Sequence, residues 1–465
     1  MTVGTALVAG LGGQTVRAAP QGGVFTVNSL ADAVDDDVGD GECSTGAIPF
    51  TCTLRAAIQE ASFNSNPNTI NLPAGTYTLT LSGAAENAGV SGDLDITGTV
   101  TVIGAGPDLS IIDGNGELTV DRVLDVHGGS VSITGVSFRN GRGSGPGAGI
   151  YNREGAVLTL IHSEVRENVI NELAGTDGGG IYSLGELDLQ YSSVISNVTE
   201  HANANGGGIS HGSFDPELRL SISDSTISGN RAGYFGGGLY LETALITVTN
   251  STIDNNQAQS GGGIFAYDVQ LTVVNSTLSG NSSMESGGGL VETFGSTRLL
   301  NATVTNNTGD SDADGSGSGG GVAEVSGLLS FQNSIIAGNF QLEPFGGGGV
   351  IEVEDDCTGF LTSGGDNIVY ATGPGACTIA GTFTFAWPML RPLAHNGGPT
   401  RTHNLLAVSP AIDAGDTFGC IDEAGGLLLR DQRGTPRPLI GADSLICDLG
   451  AVEFVRPLLL PLVGR

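Results

Sequence analysis

The chain has 465 residues, 77 of them Gly, and sets 17 basic residues against 49 acidic ones for a formal net charge of -32; every basic residue is Arg. So acidic a chain offers no cationic surface for nucleic acid or anionic membranes. With 39% hydrophobic residues and no three-residue Gly period, it is neither disordered nor collagen-like.

Residues 1–19, with the apolar run TALVAGLGG and small residues at Ala18 and Ala19, read as a signal-peptide-like leader without a charged n-region. No later run reaches 18 apolar residues, so no membrane span is expected. Asp35, Asp36, Asp37 and Asp40 in DDDVGDGEC form a candidate calcium loop, or else a solvated acidic turn. CTLRAAIQEA, residues 52–61, carries the clearest helix signal: Thr53 can cap it, and Leu54, Ala57, Ile58 and Ala61 share a face able to cover the end of a stack.

The middle of the chain is repetitive. Glycine-rich starts at Gly147, Gly178, Gly206, Gly236, Gly261, Gly287 and Gly319 recur every 25 to 32 residues. Each repeat closes on an asparagine: Asn168, Asn197, Asn230, Asn256, Asn281, Asn307 and Asn339. Three residues before each stands an aliphatic residue, from Val165 to Ile336, and further upstream apolar and polar residues alternate with period two. Such units are too short to fold alone and must bury their apolar faces against one another. The expected fold is all-β: a right-handed parallel β-helix with an N-terminal helical cap and a disulfide-stapled C-terminal region. The glycines then turn corners and the asparagines form a stacked ladder. Sequons at Asn250, Asn275 and Asn301 read as by-products of this turn. Weaker coils at 108–116 and 131–141 place the start of the stack near residue 95. The expected boundaries are 20–94 for the N-terminal cap, 95–345 for the repeats, 346–453 for the C-terminal region and 454–465 for an apolar tail.

Chemistry-bearing residues are sparse in the repeats. Glu292 and Glu324 share the fifth position after the first glycine and Glu242 the sixth, an acidic stripe if all point outward, and these are the candidate catalytic residues. Asp310, Asp312 and Asp314 before Gly315 form half of a D-x-D-x-D-G calcium cage without the closing Glu. No cofactor is required, and calcium is the one these loops could take. His162 shares a column with Tyr191 and Asp224 and reads as a turn residue. Thr226, Thr252, Thr277 and Thr303 form an outward column on four coils. Cys43 and Cys52, Cys357 and Cys377, Cys420 and Cys447 lie only in the terminal regions. Of 15 possible connectivities, short loops favour sequential pairing, which suits an oxidising compartment.

GDGECSTGAIPFTCTLRAAIQEA resembles the CSLREA-type module of secreted bacterial proteins, and the glycine-to-asparagine repeats resemble those of polymorphic outer-membrane proteins and pectate-lyase-like β-helices. NGGPTRTHNLLAVSPAIDAGD, DQRGTPRP and CDLGAVE are similar to the choice-of-anchor Q domain. The resemblance implies a secreted or cell-surface protein meeting an extracellular glycan or protein, without implying a defined activity. The expectation is a non-enzymatic adhesion scaffold, with a polysaccharide lyase or glycoside hydrolase as the alternative.

Overall fold

The computed structural model describes residues 22–455 apart from 64–65, 84–85, 144, 172–175, 347, 372–376, 418 and 439–445. The leader expected at 1–19 and nearly all of the tail expected at 454–465 lie outside the described residues.

One coil, residues 261–283, shows how the sequence closes on itself. After the Gly261–Gly263 corner, Ile264–Tyr267 and Gln270–Val274 join a long sheet A, Thr277–Ser279 joins a 12-stranded sheet B, and Ser282–Ser283 joins a short sheet C. Pairing is parallel and in register: Ile264 lies between Leu239 and Leu290, and Leu278 between Ile253 and Val304. Ile264, Leu271, Val273 and Leu278 all fill the interior. A slip of one residue would turn that whole set to solvent, so the alternation fixes the register.

The corners explain the glycines. Gly261 has φ 65, and a Cβ on Gly262 would stand 2.3 Å from the Ser282 carbonyl oxygen of the same coil. At the next bends His162, Tyr191, Asp224, Asn250, Asn275 and Asn301 all have φ between 45 and 52, the left-handed region that Asn and Asp tolerate best. His162 is thus a turn residue, its ring stacked on Tyr191 at 5.0 Å. Asn275 and Asn301 are buried, which closes those two sequons to glycosylation.

Each ladder asparagine is buried and donates from Nδ2 to the Oδ1 of the next, at 2.9 Å for Asn168, Asn256, Asn281 and Asn307, 3.1 Å for Asn197 and 3.0 Å for Asn230. Asn339 ends the run by donating to Asp356 at 2.9 Å.

The stack is longer than its signature. Val24–Thr26 and Asn68–Leu72 already pair in parallel below Val100–Gly104, and Ile368–Val369 and Thr384–Phe385 extend sheet B beyond residue 345. These end coils lack the glycine corner and asparagine ladder, so periodicity alone placed the boundaries too far inward. The helix Leu54–Phe63 packs against Asn68–Leu72 and Leu94–Ile96, with Thr53 Oγ1 accepting from the Ala56 N–H. Disulfides join Cys43 to Cys52, Cys357 to Cys377 and Cys420 to Cys447. Among the described residues, no helix is long and apolar enough to cross a membrane.

From residue 387 the chain returns along the outer face of sheet B, and this changes the reading of the threonine column. Thr252, Thr277 and Thr303 are buried rather than surface-exposed. Thr252 donates to the Arg401 carbonyl, Thr277 donates to Gln432 Oε1, and Thr303 accepts from the Ala451 N–H. The fully buried Arg437 binds Glu453 at 2.7 Å, Asn275 Oδ1 at 3.0 Å and the Gly450 carbonyl at 2.7 Å. The three C-terminal motifs are therefore the residues that clasp the stack.

Candidate functional site

The expected acidic stripe does not form. Glu242 is exposed and in register with Gly212 and Tyr267, whereas Glu292 is in register with Ala266 and Glu324. Glu292 points into the stack, accepting from the Gly295 N–H at 2.9 Å and from Thr297 Oγ1. Burial pushes its carboxyl up to about 7. A shift of that size is common at active sites, but here it marks a corner-holding group with no surface to serve. Glu324 accepts from the Gly327 and Phe360 N–H groups and holds the corner beside it.

Of the two acidic loops, only one gathers its acids. Asp310, Asp312 and Asp314 bring ligand oxygens within 4.8 Å of one another. Asp310, however, already accepts from the Asp314 and Gly315 N–H groups at 3.1 and 3.0 Å. In the 35–40 loop, Asp35 accepts from Asp37 and Ser44, and Asp40 from Glu42. Asp36, Asp37 and Asp40 are exposed, and no three side chains there converge among the described residues. Calcium favours six to eight oxygens; the first loop brings three carboxylates together, with Asp310 already engaged by backbone N–H groups, and the second brings no three together among the described residues. A chelator is therefore expected to leave the melting temperature unchanged within about 1 °C in a calorimetric scan; a larger fall would establish a bound cation.

The polar cluster that does form lies on the less regular coils before the first glycine corner. Asp93-Leu94-Asp95-Ile96 and Val123-Leu124-Asp125-Val126 alternate identically, so their leucines point inward and Asp95 stacks directly on Asp125 on the outer face. Two stacked carboxylates repel, and cations from the neighbouring segments balance them. Asp125 binds Arg153 Nε and Nη2 at 2.8 Å each and Arg122 Nη1 at 2.6 Å, while Asp95 meets His127 Nε2 at 2.7 Å. Arg122 also reaches Asp93 at 3.2 Å. Burial, reinforced by Asp121 and Asp95, pushes Asp93 up to about 8; burial likewise raises Asp95 and Asp121.

Above the acids the same outward column turns aromatic. Asp125 is in register with Tyr151, then Tyr182, Ser210, Tyr240 and Phe265. The Arg153 and Arg122 guanidinium groups lie 4.9 and 5.3 Å from the Tyr151 ring centre, and Tyr151 lies 5.4 Å from Tyr182. Tyr151, Tyr182 and Tyr240 are all half-buried, and burial pushes the Tyr182 hydroxyl up to about 12. Chemically this is a row of aromatic rings, the first of them packed against two guanidinium groups that share Asp125. Asp95, Asp125 and His127 also gather ligand atoms within 4.8 Å, but a metal there would have to displace two guanidinium groups from Asp125. The signal that could have found this cluster is the paired LDI and LDV at one offset on neighbouring coils.

A model described as "Right handed beta helix region" matches residues 123–309. No curated protein matches the chain. Among solved structures, one titled "Crystal structure of pectate lyase Pel9A" aligns over 94% of this chain and 97% of that chain, at 12% identity and a TM-score of 0.36. Both its identity and its score are too low to bear on activity. The paired strands, together with the matched region, make this chain a right-handed parallel β-helix.

Proposed function

We propose that the protein is an exported, non-enzymatic β-helix that binds an extended extracellular glycan along the outer face of sheet A. The observation that carries this reading is the outward Tyr151–Tyr182 pair beside Arg153 and Arg122, both of which are held by the buried Asp125. A face lined by aromatic rings suits sugar rings, which present apolar faces ringed by hydroxyls. Three disulfides and the resemblance of both terminal segments to secreted proteins support export.

A glycan array probed with the full-length protein tests it. Tyr182→Ala is expected to weaken binding at least tenfold, about 1.4 kcal/mol, with Tyr182→Phe retaining it and both variants melting near wild type. Equal binding by wild type and Tyr182→Ala would exclude this face.

The alternative, a carbohydrate-active enzyme, draws on the Asp95, Asp125, His127 and Arg153 cluster. It needs a free carboxylate or base, and both oxygens of Asp125 are taken by arginines.

A further inference from the structure

A cavity of about 450 Å³ lies at the seam between the stack and the returning C-terminal region. Its stack side carries Asn255 and Asn306, exposed corner residues with Gly280 among them, and its C-terminal side carries Trp387, Arg391 and Arg401. Gly280 keeps the floor open, since a Cβ there would come within 2.8 Å of Asn255 Oδ1. Trp387 is the chain's one tryptophan, 40% exposed and held edge-on to Tyr370 at 5.2 Å.

The two arginines differ. Arg401 is matched by the buried Asp254. Arg391 is exposed, and its guanidinium has no hydrogen-bond or carboxylate partner among the described residues. Arg391 is thus an uncompensated cation beside an indole, the Asn306 amide and Asn255, whose own amide donates to Asp254, in a chain of net charge -32, and such a cation suits an anion.

We infer that this seam cavity binds a sugar ring bearing a carboxylate, with the ring against Trp387 and the carboxylate at Arg391. The inference is independent of the Tyr151–Tyr182 face, which lies on another sheet and whose two arginines are held by Asp125. The acidic surface elsewhere would repel densely charged polymers, so the ligand class is a single acidic sugar residue or a sparsely charged chain end.

Because Trp387 is the one tryptophan, intrinsic emission of the full-length protein reports on the cavity directly. Titration with glucuronate is expected to change that emission saturably, with glucose and acetate each at least tenfold weaker. Arg391→Gln, an exposed position, is expected to lose the preference for glucuronate over glucose while keeping the wild-type melting temperature. Gly280→Asn, tolerated at positive φ, is expected to abolish the response by filling the floor. An unchanged emission with glucuronate, an equal response to acetate, or a glucuronate preference that survives Arg391→Gln would each overturn the inference.

Discussion

Replacing Asn281 by Ala is expected to destabilise the protein by about 4 kcal/mol or more, and to split its unfolding into two transitions. Asn281 Oδ1 accepts from both the backbone N–H and Nδ2 of Asn256, at 3.0 and 2.9 Å, and its own Nδ2 donates to the Ile253 carbonyl and to Asn307. Truncation leaves two buried donors and a buried carbonyl short of partners, at roughly 1 to 3 kcal/mol each. The whole ladder is buried, so the freed groups do not face bulk solvent. In a stack where each coil touches mainly its neighbours, a broken middle rung uncouples the two halves. Denaturant unfolding followed by circular dichroism checks this. A single transition at the wild-type midpoint would mean that the ladder contributes little.

The second large effect is on pH. Burial pushes Asp93 up to about 8, Glu292 and Glu453 to about 7, and Asp355 and Asp356 to about 6. Each therefore holds its proton in the folded chain at pH values where the unfolded chain, near 4, has lost it. Their stabilising contribution is complete below about pH 4 and is lost as pH rises through the folded values. His211 opposes this: burial lowers it to about 3, so the unfolded chain binds the extra proton below about 6.5. Above that point the acids act alone, and below it five acids outweigh His211. Melting temperature should accordingly rise on acidification from pH 8 to about pH 5, aided by relief of the net charge of -32. Glu292→Gln should flatten the slope between about pH 5 and 7, keeping the acceptor for Gly295 and Thr297 without the titrating proton; Glu292 alone is worth roughly 3 kcal/mol of that slope. A melting temperature that falls steadily from pH 8 to pH 5 would show that the buried acids remain ionised.

Much of this architecture is written locally. Period two fixes which of Ile264, Leu271, Val273 and Leu278 face inward, and the repeat fixes which residues stack, because both are properties of one coil copied along the chain. The same alternation carries more than the acidic-stripe reading drew from it. The fifth position after the first glycine shares its face with the third, where Ile264 and Leu290 are buried, so Glu292 had to point inward.

What sequence could not convey are contacts between distant segments. The threonine column looks solvent-facing until Arg401, Gln432 and Ala451 are known to lie on it, and nothing near Thr277 indicates Gln432. The Asp95–Asp125 pair is legible only once those two coils are placed in register, and they lack the glycines that mark the others. Arg122, Arg153 and His127 are unexceptional singly, and their meaning comes from meeting the same carboxylates.

On the proposed reading the outer face of sheet A binds a glycan without cleaving it. The most direct measurement is reducing-end release during prolonged incubation of the wild-type protein with the glycan the array selects. Binding with no increase in reducing ends is expected. Reducing ends that accumulate with time, and cease to do so in Asp125→Asn, would contradict it and make the Asp95–Asp125–His127 cluster an active site.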